Sequence, residues 1–83
     1  MTGQALTPLV PLIEKLGFTV EFIDRNIIAR EGPVTVSEIA MLWQGMPNKH
    51  DRKRTRQLLD ALTEAGLLKV VDDESGVFAR VGG

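Results

Sequence analysis

Two periods run along the chain. Over most of its length apolar residues recur three or four positions apart, and near the C-terminus they alternate with polar ones. "TPLVPLIEKLG" predicts a short first helix ended by Gly17. Its start is open to two readings. Thr7 can cap it with Pro8 at the first helical position, where the missing N–H costs nothing, or Val10 can take the cap position ahead of Pro11. In "FTVEFIDRNIIAREG", Phe18, Val20 and Phe22 alternate like a strand, but Val20, Ile23 and Ile27 keep helical spacing and Ile28 widens their stripe. The longer pattern predicts a helix over residues 19–31, stopped by Gly32 and Pro33.

"VTVSEIAMLW" has a sharper start signal. Thr35 and Glu38 stand at capping-box spacing, with Val34 and Ile39 at the positions of a hydrophobic staple. The helix that follows is expected to bury Ile39, Leu42 and Trp43 before Gly45 and Pro47 break it. A fourth helix, starting near Asn48 or Asp51, has Thr55, Leu58, Leu59, Leu62 and Ala65 as its inner stripe and Gly66 as its stop. "LLKVV" and "VFARV" then read as two strands joined by "DDESG". The order is helix, helix, extended entry, helix, turn, helix, hairpin, an α+β arrangement.

Composition narrows the function more than the fold. A chain of 83 residues with 43% apolar and 25% charged residues has the make-up of one globular domain. Without cysteine there is no disulfide or thiolate metal site, and His50 is the only histidine, inside a charged run. No nucleophile–base pair, phosphate-cradling glycine loop or metal constellation stands out, so neither an enzyme nor a cofactor is expected. No leader pattern or membrane-length apolar run is seen, and a cytoplasmic protein is the expectation. The net charge of −1 hides an asymmetry. Residues 49–56 hold Lys49, Arg52, Lys53, Arg54 and Arg56 against Asp51, a balance of +4, so the rest of the chain carries −5.

The phrases "REGPVTVSEIA" and "LLDALTEAGLL", followed by a terminal hairpin, resemble the winged helix-turn-helix domain of multiple-antibiotic-resistance-type transcription regulators. The resemblance covers roughly residues 19–81. It implies a three-helix core with a C-terminal β-hairpin wing, to which this chain adds an N-terminal helix: residues 1–18 as an extension and residues 19–83 as the winged-helix domain. Residues 35–44 become the first helix of the motif, residues 51–65 the recognition helix in the major groove, and residues 67–81 the wing. The chain departs from the family pattern in two places. "QGMPNKH" is longer than a tight helix-turn-helix turn, and the wing tip Asp72-Asp73-Glu74 is acidic where a groove-inserting wing carries Lys or Arg.

The implied partner is double-stranded DNA. At 100° per residue, Lys53, Arg56, Gln57, Asp60 and Glu64 point away from the inner stripe, so the outer face is positive in its first half and negative in its second. A solvated face with an Arg56–Asp60 pair is the plainer account. Cations at a helix N-terminus, however, oppose the helix dipole by about 0.3–1 kcal/mol each, which favours an anionic partner. Lys49, Arg52, Lys53 and Arg54 are then phosphate contacts, and Arg56 and Gln57 are placed for guanine and adenine edges. The rival reading is a protein-interaction module whose basic helix meets an acidic partner. Residues 1–18, with Leu6, Leu9, Val10, Leu12, Ile13 and Leu16, are expected either to cover the core or to form a homodimer interface. His50 reads as a loop residue or phosphate contact, Trp43 as the rim of the core, and the Gly82-Gly83 ending as unrelated to the β-grasp carrier proteins that share it.

Overall fold

The structure is a computed structural model that describes residues 7–81. Residues 1–6, read above as a loose end and including Leu6, and Gly82 and Gly83 lie outside the described residues. Four helices and a three-stranded antiparallel sheet form an α+β fold around one core.

Helix α1 (Val10–Lys15) follows a 3-10 turn at Thr7–Leu9. Leu9, rather than Thr7 or Val10, takes its cap position, because the preliminary turn lets Pro11 fall in the first turn, where no N–H is needed. Ile13 and Leu16 are buried in the same cluster as the leucines of the long helix, so this extension covers the core.

Helix α2 (Val20–Ile23) is capped by Thr19, whose Oγ1 accepts from the Phe22 N–H at 3.1 Å. It continues as a π-helical turn, Asp24–Ile28, and ends earlier than the predicted Glu31. The Ala29 N–H donates to the Asp24 carbonyl, five residues back, at 2.8 Å. That wider turn sets Ile28 under Ile23, five positions away, and buries it together with Ile27.

Strand β1 (Val34–Thr35) leads directly into α3 (Val36–Gln44). The capping box expected here forms by half. Thr35 Oγ1 accepts from the Glu38 N–H at 3.1 Å, but the Glu38 carboxylate turns to Arg30 at 2.7 Å instead of reaching back to Thr35. The buried stripe also differs. Leu42 is 53% exposed, and Ala40 takes its place inside, because the core-facing positions are Val36, Ile39, Ala40 and Trp43. Trp43 stacks near Phe18 and Phe22, with ring centroids 4.9 and 4.8 Å away, and so ties α3 to the start of α2.

Helix α4 (Lys49–Glu64) buries Thr55, Leu58, Leu59 and Leu62. Ala65, expected in that stripe, is exposed as the C-cap residue, and Gly66 stops the helix with φ +84°. Strands β2 (Leu68–Asp72) and β3 (Val77–Arg80) form the hairpin, and β1 pairs with β3 on its other side, giving the order β1-β3-β2. Val70 faces Phe78 and Asp72 faces Val77, which leaves Val71 as the extra residue of a bulge. At Gly76 (φ +65°) a side chain would put its Cβ 2.9 Å from Val36 Cγ2. Glycine there lets the hairpin close on the start of α3, where the Val36 N–H donates to the Gly76 carbonyl.

Candidate nucleic-acid interface

The connection from α3 to α4 decides how the basic segment is presented. Because α3 runs through Gln44 and α4 starts at Lys49, the turn is only residues 45–48. Of the seven-residue "QGMPNKH" stretch, Gln44 is the last residue of α3 and Lys49 and His50 are the first two of α4, which leaves four residues of turn. Asn48 is the cap. Its side chain accepts from the Asp51 N–H at 2.8 Å, and the Asp51 carboxylate accepts from the Asn48 N–H at 3.0 Å. This is the full capping box that Thr35 and Glu38 do not make. The Asn48 N–H, followed by the neighbouring Arg54 guanidinium, holds the Asp51 carboxyl below the usual carboxylate range.

With that start fixed, the six candidate residues separate. Lys49, Arg52 and Lys53 are exposed and have no ion-pair partner among the described residues. His50 is exposed beside them. Arg54 is folded back onto Asp51 and lies against the α1–α2 turn at Gly17. Arg56 is engaged on three sides. It pairs with Asp60 one turn on at 3.3 Å, donates to the Asp73 backbone carbonyl at 3.1 Å, and pairs with the Asp73 carboxylate. Its guanidinium carbon also sits 5.2 Å from the centroid of the Phe78 ring. The Asp73 hydrogen bond is the main reason its pKa is raised further. Gln57 is exposed, on the side where α4 faces Leu12 of α1 and Leu16 at its C-cap.

The structure thus gathers Lys49, Arg52 and Lys53 as one unpaired cationic surface at the start of α4, and it ties Arg54 and Arg56 down. The Arg56–Asp60 pair follows from helical spacing. The Arg56–Asp73 pair, seventeen positions apart, has no local signal in the sequence. It also gives the acidic hairpin tip a role: Asp73 turns toward α4. Met41 and Leu42 on α3 and Met46 in the turn before α4 are also exposed, Met46 by 93%.

Among the described residues no group of three His, Asp or Glu side chains is placed to hold a metal ion, and no helix is long and apolar enough to cross a membrane. Comparison with protein-family models, with curated proteins and with solved structures returned no match for this chain.

Proposed function

We propose that the protein is a small winged-helix module that binds double-stranded DNA and acts in transcriptional regulation. In this reading α3 and α4 are the helix-turn-helix pair, α4 is the recognition helix and the β2–β3 hairpin is the wing. The observation that carries it is the unpaired cationic start of α4. Lys49, Arg52 and Lys53 crowd the positive end of the helix dipole with one acid, Asp51, which is already used by Asn48 and Arg54. An ion arrangement chosen for stability alone would place acids there. Phosphates offset this repulsion, and a helix entering a groove N-terminus first keeps Asp60 and Glu64 away from the backbone.

Lys49, Arg52 and Lys53 are the phosphate contacts, and Gln57 is available for a base edge. Arg54 chiefly secures the helix start. Arg56 reaches a base only by exchanging Asp73 for DNA. A homodimer remains part of the proposal, since one small module makes few phosphate contacts, but Ile13 and Leu16 are spent on the protomer's own core.

Duplex binding measured across a salt series tests the reading. The wild type should bind with a log–log slope set by about three phosphates, roughly −2.7 at −0.9 each. Replacing Lys49, Arg52 and Lys53 together by Ala in a still-folded chain should remove most of that slope. Absence of duplex binding at low salt would sink the proposal.

One observation favours the rival class, a protein-interaction module. Met46 stands exposed in the turn directly before the basic start of α4, with Met41 and Leu42 exposed on α3, and exposed apolar side chains near cations suit an acidic, amphipathic protein segment. Weak salt dependence, with affinity lost on Met46→Ser rather than on Lys53→Ala, would select it.

A further inference from the structure

Away from α4, three cations from separate parts of the chain meet at one recess. Arg30 follows α2, Lys69 is on β2 and Arg80 is on β3; with Gly32, Pro33 and Ala79 they line a depression of about 220 Å³. No acidic residue lines it. We propose that this recess is a binding site for a phosphate group.

Both guanidiniums are already oriented. Arg80 donates through Nη1 to the Ile28 carbonyl at 2.7 Å, and Arg30 donates through Nη2 to Glu38 at 2.7 Å. Each contact uses part of a five-donor fork and leaves other N–H groups for a ligand. The entropy of ordering two long side chains is spent in folding, so an incoming anion does not meet that cost. A purely structural account explains each arginine singly: Arg80 satisfies a carbonyl at the end of α2, and Arg30 pairs with Glu38. It does not explain why Lys69, with no ion partner among the described residues, joins them around one recess in which Arg30 alone of the three cations has an ion-pair partner, Glu38, among the described residues.

Size and shape select the ligand class. The recess is smaller than the about 300–1,000 Å³ typical of organic-ligand pockets, so it suits one anionic group and not a whole nucleoside. Two arginine forks and an ammonium arriving from different directions match the several acceptor oxygens of a phosphate. The site is separate from the α4 surface. Lys69 stands in β2 opposite Ala79, toward the hairpin's open end, whereas Asp73, which meets Arg56, lies in the turn beyond β2. The phosphate can come from two sources, a free phosphate or phosphomonoester, or the backbone of a bound nucleic acid. The site itself rests on the recess and not on the DNA reading.

Titrating inorganic phosphate into the full ¹⁵N-labelled chain, at ionic strength held constant with chloride, tests this. Saturable amide shifts confined to Gly32, Lys69, Ala79 and Arg80 are expected, and Lys69→Glu should abolish the saturation while keeping a dispersed spectrum. Lys69 is chosen because Arg80→Ala would strand the Ile28 carbonyl. That result assigns the site to a free phosphate. If free phosphate does not saturate but Lys69→Glu lowers the salt slope of duplex binding by about 0.9, the phosphate is one of the nucleic-acid backbone. If phosphate gives only weak, linear shifts spread over the surface and Lys69→Glu leaves any duplex binding unchanged, the proposal is overturned. The first arm decides even for a chain that binds no duplex.

Discussion

The two halves of α4 are held in place by different physics. In residues 57–64, Leu58, Leu59 and Leu62 are at most 1% exposed, and the core fixes them. In residues 49–56, Thr55 alone is buried, its Oγ1 donating to the Asp51 carbonyl, and the rest is held by a cap, ion pairs and helix continuity. The second half is worth several kcal/mol per side chain and admits one arrangement. The first half is built from contacts of about 1 kcal/mol or less, which a charged partner can rearrange. A stable frame thus carries a surface that is cheap to reorganise, as a binding surface requires.

Substitutions can separate the halves. The largest effect belongs to the buried side: Leu59→Ala or Leu62→Ala should cost about 2–5 kcal/mol, read by denaturant unfolding. In a chain of this length that is much of the total stability. Leu42→Ala, on the face first expected inside, should cost under about 1 kcal/mol, because Leu42 is half exposed. Similar losses at Leu42 and Leu59 would break the assignment of inner and outer faces. Next comes Asn48→Ala, which removes the cap of the cationic half and should cost about 1 kcal/mol without changing the m-value.

The acid partner in that cap adds a pH signature. The folded-state pKa of Asp51 is depressed, first by the Asn48 N–H and then by Arg54. Its contribution is therefore present above the ordinary carboxylate value of 3.8 and is lost as pH falls through the lower folded value. Asp51→Asn should be less stable than wild type at pH 7, and the two melting curves should converge toward pH 2. A gap that persists in acid would mean that Asp51 acts through packing and not through its charge.

How much was legible in the sequence follows the same division. The element order, the helix start at Thr19, the leucine stripe of α4, the Gly66 stop and the hairpin all follow from periodicity and local turn chemistry, whereas the helix expected over residues 19–31 ends at Ile28. Errors arose where a distant group competes for a local one. Glu38 fits a capping box by spacing, but Arg30, eight residues earlier, takes its carboxylate. Leu42 fits an apolar stripe, but Ala40 takes the inner place beside Ile39, on a helix that Trp43 ties to Phe18 and Phe22 through its ring contacts. The π-turn came from no composition signal at all; it is a solution that buries Ile23, Ile27 and Ile28 together. The cationic segment was visible as charge, while the division between unpaired Lys49, Arg52 and Lys53 and tethered Arg54 and Arg56 was not. That division depends on where the tip of the β2–β3 hairpin folds back.

The smallest effect sharpens the comparison most. Asp73 is the only residue outside α4 that forms an ion pair with its described cations, and its carboxylate occupies Arg56 as a phosphate would. The pair is largely solvated, with the Asp73 side chain 78% exposed, so Asp73→Asn should lower stability by less than about 1 kcal/mol. If α4 meets DNA, the same change removes a competitor for Arg56 and a negative charge facing the backbone. Duplex affinity should then rise by several-fold at low salt, with a steeper salt slope, as Arg56 becomes free to join Lys49, Arg52 and Lys53. Arg56→Ala in the Asp73→Asn background should cancel the gain. If instead α4 meets an acidic protein segment through the same cations, the gain should appear with that segment and not with a duplex. A variant that loses stability but binds no anion any better would show that Asp73 only braces the β2–β3 hairpin against α4, and that Arg56 belongs with the structural half of the helix.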